Sequence, residues 1–209
     1  MKVAILSESS ADETAVRILV EAILNQQTER IDLPLRGRGW PSVRDNLPAV
    51  FKHLHYRTDA EALVLVVDAD DSTVHHAARE QPDGADESCR LCDLLTTVAR
   101  IRSSLKPIPG RSLLKMAIGL AVPAIEAWYL CGTDPRGAEA AWLQRHTPTL
   151  GRDIRNQLKQ AVYQTDRPSL ALETERAVKE AQRLAQSLTL LEQHFPGGFG
   201  TLLRAIKSW

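Results

Sequence analysis

Apolar positions in the first two thirds of the chain fall in two kinds of block. Val3-Ala4-Ile5-Leu6 and Ala62-Leu63-Val64-Leu65-Val66-Val67 are unbroken runs, and each stops abruptly at acidic residues. Runs of this length read as strands buried on both faces, the kind found in parallel α/β sheets. Other apolar residues recur at helical spacing: Val16, Leu19, Val20, Ile23 and Leu24, then Val43, Leu47, Val50, Phe51 and Leu54, then Leu91, Leu94, Leu95, Val98, Ile101 and Leu105. The first of these helices has Ser9, Ser10 or Asp12 as its cap and Glu13 at its positive end. The second follows Arg36-Gly37-Arg38-Gly39 and has Pro41 in its first turn, with Pro48 as a possible kink. A strand is expected over 31–35, at an edge or bulge because of Pro34.

Farther on, residues 71–87 are polar and contain the turn signal Pro82-Asp83-Gly84. The stretch 106–110 breaks the third helix. A strand is expected within 113–122, and Pro123 opens a helix over 124–130. Strand and helix thus alternate repeatedly, which predicts a parallel sheet covered on both faces. Beyond about residue 133 the pattern is wholly helical: Ile154, Leu158 and Val162 share one face, and Val178, Ala181, Leu184, Ala185, Leu188 and Leu191 another. A last short helix with Phe199, Leu202, Leu203 and Ile206 follows Pro196-Gly197-Gly198. The expected organisation is an α/β core over 1–132 and a helical extension packed on it over 133–209.

Composition changes this picture little. Acidic and basic residues balance at 26 each among 209, so no whole-chain field favours nucleic acid or a membrane, although a local basic groove remains compatible. No stretch approaches a membrane span, and the apolar part of the amino terminus is too short for a signal peptide. A soluble, cytoplasmic protein is expected. Three cysteines, Cys89, Cys92 and Cys131, argue against a secreted disulfide framework. Cys89 and Cys92 with His75 and His76 could be zinc ligands, but two small residues on a helix face is the simpler reading of this lone CxxC.

The chemistry gathers at the two acidic strand ends. Ligands of open parallel sheets bind outside the carboxyl ends of the strands. There the chain presents Glu8, Asp68 and Asp70, hard oxygen donors suited to Mg²⁺ or Mn²⁺. Asp68 and Asp70, two apart on a strand, should point to one side and be the first ligands. Glu8 would be a further ligand, or a base activating water. Glu126, beyond the next strand, could complete the site. Simpler roles exist for each: a strand-terminal turn and cap for Asp68 and Asp70, a favourable first-turn charge for Glu126, and a core position for Trp128. Asp71 adds a third acid to the second cluster. Arg36 and Arg38 are the candidate phosphate contacts. Arg44, Lys52 and Arg57 read more simply as a solvated face, and His75 and His76 as part of an exposed loop.

A glutamate after the first strand and Asp68-Ala69-Asp70 after a later one resemble the signature of the Toprim domain, found in topoisomerases, DnaG-type primases and OLD-family nucleases. Val122-Pro123-Ala124-Ile125-Glu126-Ala127-Trp128 and Phe195-Pro196-Gly197-Gly198-Phe199 are similar to motifs of its RloB-like stand-alone branch in bacterial defence systems. Ser9 stands where many Toprim domains have glycine. The resemblance implies a Rossmann-like parallel sheet and Mg²⁺-dependent phosphodiester cleavage of DNA or RNA in anti-phage defence, with Glu8, Asp68, Asp70 and Glu126 as catalytic residues. The main alternative is a non-catalytic Toprim-like module that binds a partner ATPase or a nucleic acid; a homo-oligomer is also compatible. A receiver-like signalling domain ranks below both, because Lys115 precedes its strand's apolar run.

Overall fold

A computed structural model of the chain describes residues 1–35, 37–70, 72, 89–134, 138–144 and 151–209. Among them four strands form one sheet: β1 (Lys2–Leu6), β2 (Glu29–Arg30), β3 (Ala62–Asp68) and β4 (Lys115–Ala121), in the order β2-β1-β3-β4 and all parallel. The helices are α1 (Ser10–Leu24), α2 (Trp40–Arg57), α3 (Arg90–Ser104), α4 (Ile125–Tyr129), α5 (Glu139–Gln144), α6 (Gly151–Tyr163), α7 (Leu170–Ala185), α8 (Leu188–His194) and α9 (Phe199–Lys207). This is an α/β, Rossmann-like architecture with a helical carboxyl-terminal part.

Successive strand residues point to opposite faces, and both faces are buried. Val3, Ile5, Val64, Val66 and Ala117 face one core, shared with α1, α4, α7 and α9. Ala4, Leu6, Leu63, Leu65 and Ile118 face the other, shared with α2 and α3. Two-sided burial is why β3 reads as a continuous apolar run and has every residue buried. Most of the helices beyond residue 133 belong to the first core, with α7 along α1 and α9 along β4, whereas Trp142 of α5 is buried in the second. Trp128 is fully buried there, edge-on to Phe195 and Phe199 with ring centroids 6.5 and 5.4 Å away.

Phe195-Pro196-Gly197-Gly198-Phe199 has a steric role. A Cβ on Gly198 would lie 2.1 Å from the Leu120 carbonyl oxygen, and one on Gly197 would lie 2.7 Å from Glu139 Oε1. The Gly197 N–H donates to Glu139 Oε2 at 2.8 Å, so a buried carboxylate joins α5 to the loop before α9. The approach of Gly198 to backbone requires glycine, whereas at Gly197 the neighbour is a side-chain carboxylate.

Three expectations need correction. The second strand is not at 31–35 but at Glu29–Arg30, with one further sheet bond from the Ile31 N–H to the Val3 carbonyl. The chain then leaves the sheet so that Gly37 can pack on Ser7, where a Cβ would sit 2.3 Å from the Ser7 carbonyl oxygen. Leu95, assigned to the apolar face of its helix, is 45% exposed. The apolar series from Val178 to Leu191 is divided between α7 and α8. Among the described residues no helix is long and apolar enough to cross a membrane.

Candidate carboxylate–arginine site

Because β1 and β3 are parallel neighbours with Leu6 beside Leu65, their carboxyl ends emerge at the same edge. Ser7 fastens that edge, its buried hydroxyl donating to the Val66 carbonyl at 2.9 Å. Glu8 turns back across β3, and its Oε1 accepts the Asp68 N–H at 2.9 Å. Asp68 is the last residue of β3. Its Oδ1 accepts the Ile125 N–H at 2.9 Å, which ties the strand end to the start of α4.

Asp70 arrives by a different route from the strand alternation predicted above. β3 ends at Asp68, and Asp70 has φ 45°, in the left-handed region that aspartate tolerates better than most residues. The N–H groups of Ala69 and Asp70 donate to the carbonyls of Ala121 and Pro123 at 2.7 and 2.8 Å, so the loop after β4 holds this turn. Glu8, Asp68 and Asp70 therefore share one edge, through a turn and not through a longer strand.

Two arginines that sequence reasoning did not single out occupy the centre of the cluster. Arg155, on α6, donates Nη2 to Asp68 Oδ2 at 2.8 Å and Nη1 to Asp70 Oδ1. Arg90, at the start of α3, donates Nη1 to the Asp68 carbonyl at 2.7 Å. The same Nη1 lies 3.0 Å from Asp70 Oδ2 and 3.7 Å from Glu8 Oε1, while the guanidinium stacks over Trp40 at 4.9 Å. Nothing local marks these two among the chain's many bases, because 85 residues separate Asp70 from Arg155. The only signal in the sequence is indirect: acids gathered at one buried edge need counter-charge.

Electrostatics follow from burial and crowding. Burial is the main force pushing Glu8 above the usual glutamate range; Asp70 adds to it, and the Asp68 N–H, Arg90 and Arg155 oppose it. Burial and the charges of Glu8 and Glu126 push Asp68 up, and Arg155 pulls the other way. Desolvation works against the charge of Arg155, but Asp68, Asp70, Glu126 and Glu8 outweigh it and hold the group above the ordinary arginine value.

Glu126 lies behind this cluster, in the first turn of α4. It is 4% exposed, its Oε2 has no hydrogen-bond partner among the described residues, and burial raises its pKa. Its charge acts on Asp68, and among the described residues no hydrogen bond joins the two. Asp12 retains some contact with solvent, yet its carboxyl is enclosed near Glu126 and Glu8 and is pushed up to about 7, chiefly by desolvation. Ser9 caps α1 by accepting the Asp12 N–H at 3.2 Å.

Arg38 is exposed, two residues before the helix α2, in a loop whose Gly39 N–H donates to the Glu8 carbonyl at 3.2 Å. The basic loop thus adjoins the acidic edge. Arg36, Asp71, His75 and His76 lie outside the described residues. Cys89 precedes α3 and Cys92 lies in its first turn; both are buried, and burial pushes the Cys89 thiol up to about 11, which suits an inert core thiol.

For a divalent cation the donors are of the right kind: three carboxylates at one sheet edge, with a buried, unpartnered carboxylate oxygen behind them. Their arrangement suits guanidinium. Among the described residues no three acidic, histidine or cysteine side chains converge as metal ligands. Asp68 and Asp70 direct oxygens at Arg155 instead. The donor chemistry is that of a hard-cation site, and Arg155 holds the position between Asp68 and Asp70.

No protein-family model, curated protein or solved structure matches the chain.

Proposed function

We infer that this chain is a Toprim-like, Mg²⁺- or Mn²⁺-dependent nuclease that cleaves phosphodiester bonds in DNA or RNA, in the setting of anti-phage defence that the sequence resemblance implies. The observation that carries the reading is the meeting of Glu8, Asp68 and Asp70 at the carboxyl edge of a parallel sheet, where such folds bind ligands. Asp68 and Asp70 would hold the ion, with Glu8 as a further ligand. Bound there, Mg²⁺ would neutralise charge on the phosphoryl oxygens and lower the pKa of a water.

The protein's own groups have separable tasks. As an alternative to a ligand role, Glu8, partly buried beside Asp68 with its pKa raised by desolvation, would serve as the base that accepts a proton from water. The Ile125 N–H fixes the Asp68 carboxylate, so that its orientation is set before any ligand arrives. Glu126 lies deeper and adds negative field without a bond to the cluster. Arg38, exposed beside the edge, can fork onto a backbone phosphate of the nucleic acid, with Arg36 as its predicted companion.

One observation favours a second reading, the non-catalytic module binding a partner ATPase or a nucleic acid. Arg155 and Arg90 already pair with these carboxylates, and a purely structural ion cluster would look the same. Cleavage separates the two. The nuclease reading expects Mg²⁺-dependent cleavage of single-stranded or duplex DNA or RNA, lost in Asp68→Asn and in Asp70→Asn while circular dichroism shows the fold retained. Undiminished metal-dependent cleavage by both variants would remove these residues from the chemistry.

A further inference from the structure

The two guanidiniums in the acidic cluster are held differently. Arg90 stacks on Trp40, donates to a backbone carbonyl and reaches two carboxylates, and its side chain is 15% exposed. Among the described residues Arg155 bonds to Asp68 and Asp70 alone, and its side chain is 35% exposed. Among the described residues its departure would break bonds to the two carboxylates alone, whereas that of Arg90 would also uncover an aromatic face and leave the Asp68 carbonyl without this donor.

Charge balance points the same way. With Arg155 gone, the three carboxylates Glu8, Asp68 and Asp70 face one remaining guanidinium. The shortfall is two positive charges, the charge of one divalent cation. With Arg155 present, an added divalent ion would have to share Asp68 and Asp70 with a guanidinium that already occupies one oxygen of each. Glu126 adds a buried carboxylate beside the cluster: its Oε2 has no hydrogen-bond partner among the described residues, and its charge acts on both Asp68 and Arg155.

We propose that Arg155 is the built-in competitor of the divalent cation, occupying Asp68 and Asp70 in the metal-free protein and setting the site's metal affinity by the work of displacing it. This rests on the metal reading above. It follows that α6, a helix distant in sequence from every predicted ligand, tunes a site to which it contributes no carboxylate. Arg90 remains in place as the fixed counter-charge.

The test is a Mn²⁺ titration of the full chain, following free Mn²⁺ by electron paramagnetic resonance, for the wild type, Arg155→Gln, Arg155→Ala and Asp68→Asn. Removing the competitor should tighten Mn²⁺ binding by roughly tenfold or more, a size usual for coupling between two ligands. Asp68→Asn should weaken it. Mn²⁺ binding by the wild type that is equal or weaker in both Arg155 variants would overturn the competitor role and leave the metal reading standing. No Mn²⁺ binding in any of the proteins would overturn both. A measurement on the unaltered chain covers the case in which neither variant folds. In ¹⁵N-arginine spectra, saturating Mg²⁺ should move the Arg155 Nε–Hε signal and leave that of Arg90 in place; an unmoved Arg155 signal in Mg²⁺-bound protein would refute the exchange.

Discussion

Gly198→Ala probes the joint on which both the helical tail and the acidic edge depend. The added methyl would start 2.1 Å from the Leu120 carbonyl oxygen, whereas ordinary contact begins at 3.4 Å. Leu120 is in β4, whose backbone is fixed along its length by pairing with β3. The strain therefore has to be relieved by moving the start of α9 more than an ångström away. That helix buries Phe199, Leu202, Leu203 and Ile206 against β4 and α1. Overpacking of this kind costs about 1–3 kcal/mol, and occasionally more. A clash with backbone and not with a flexible side chain places Gly198→Ala at the upper part of that range, about 3 kcal/mol. For a chain of this size each kcal/mol lowers the melting temperature by about 2–4 °C, so a fall of roughly 6–12 °C is expected. Thermal and urea unfolding followed by circular dichroism would measure it. A melting temperature within a degree of wild type would refute the seating of α9 on β4. It would also weaken the account of the edge, because the segment after Leu120 supplies the carbonyls of Ala121 and Pro123 that hold the turn at Asp70.

Two further outcomes are expected. Asp12 has a folded pKa of about 7 against an ordinary value of 3.8, so the folded state binds the extra proton; its contribution to stability is complete below about pH 4 and is lost as pH rises through 7. Asp12→Asn should therefore flatten the fall in urea-measured stability between pH 5 and pH 8, and an unchanged slope would contradict the enclosure of that carboxyl. Arg36→Ala combined with Arg38→Ala should weaken nucleic-acid binding and flatten its salt dependence by up to about 0.9 in log–log slope per lost phosphate contact on duplex DNA. For Arg38 a stability role is not expected, because the acids pair with Arg90 and Arg155 instead; unchanged affinity and slope would remove the phosphate-contact role.

The parts of this molecule legible in its sequence are those that burial writes locally. β3 lies between two strands and under two helical layers, so every position must be apolar and the run ends visibly at Asp68. With β1 ending in the same way, the common edge of Glu8 and Asp68 could be read before any coordinates. β2 was misplaced because an edge strand of two exposed residues carries no apolar signature, while Ile31 and Leu33 nearby do. Strand alternation does not reach Asp70, and a left-handed turn at aspartate leaves little trace in composition. Arg90 and Arg155 were missed because a side chain's partner across the fold depends on how helices dock. The glycines before α9 were noticed as a motif, but their reason, contact with Leu120 and Glu139, exists only in three dimensions.

The central claim is that the Glu8–Asp68–Asp70 edge is a divalent-cation site held in reserve by arginine. Anomalous diffraction from crystals of the full chain grown with Mn²⁺ tests it most directly. The account predicts an anomalous peak in contact with Asp68 and Asp70, with the Arg155 guanidinium withdrawn from both and Arg90 still stacked on Trp40. A saturating Mn²⁺ concentration that leaves Arg155 bridging Asp68 and Asp70, with no peak at that edge, would contradict it.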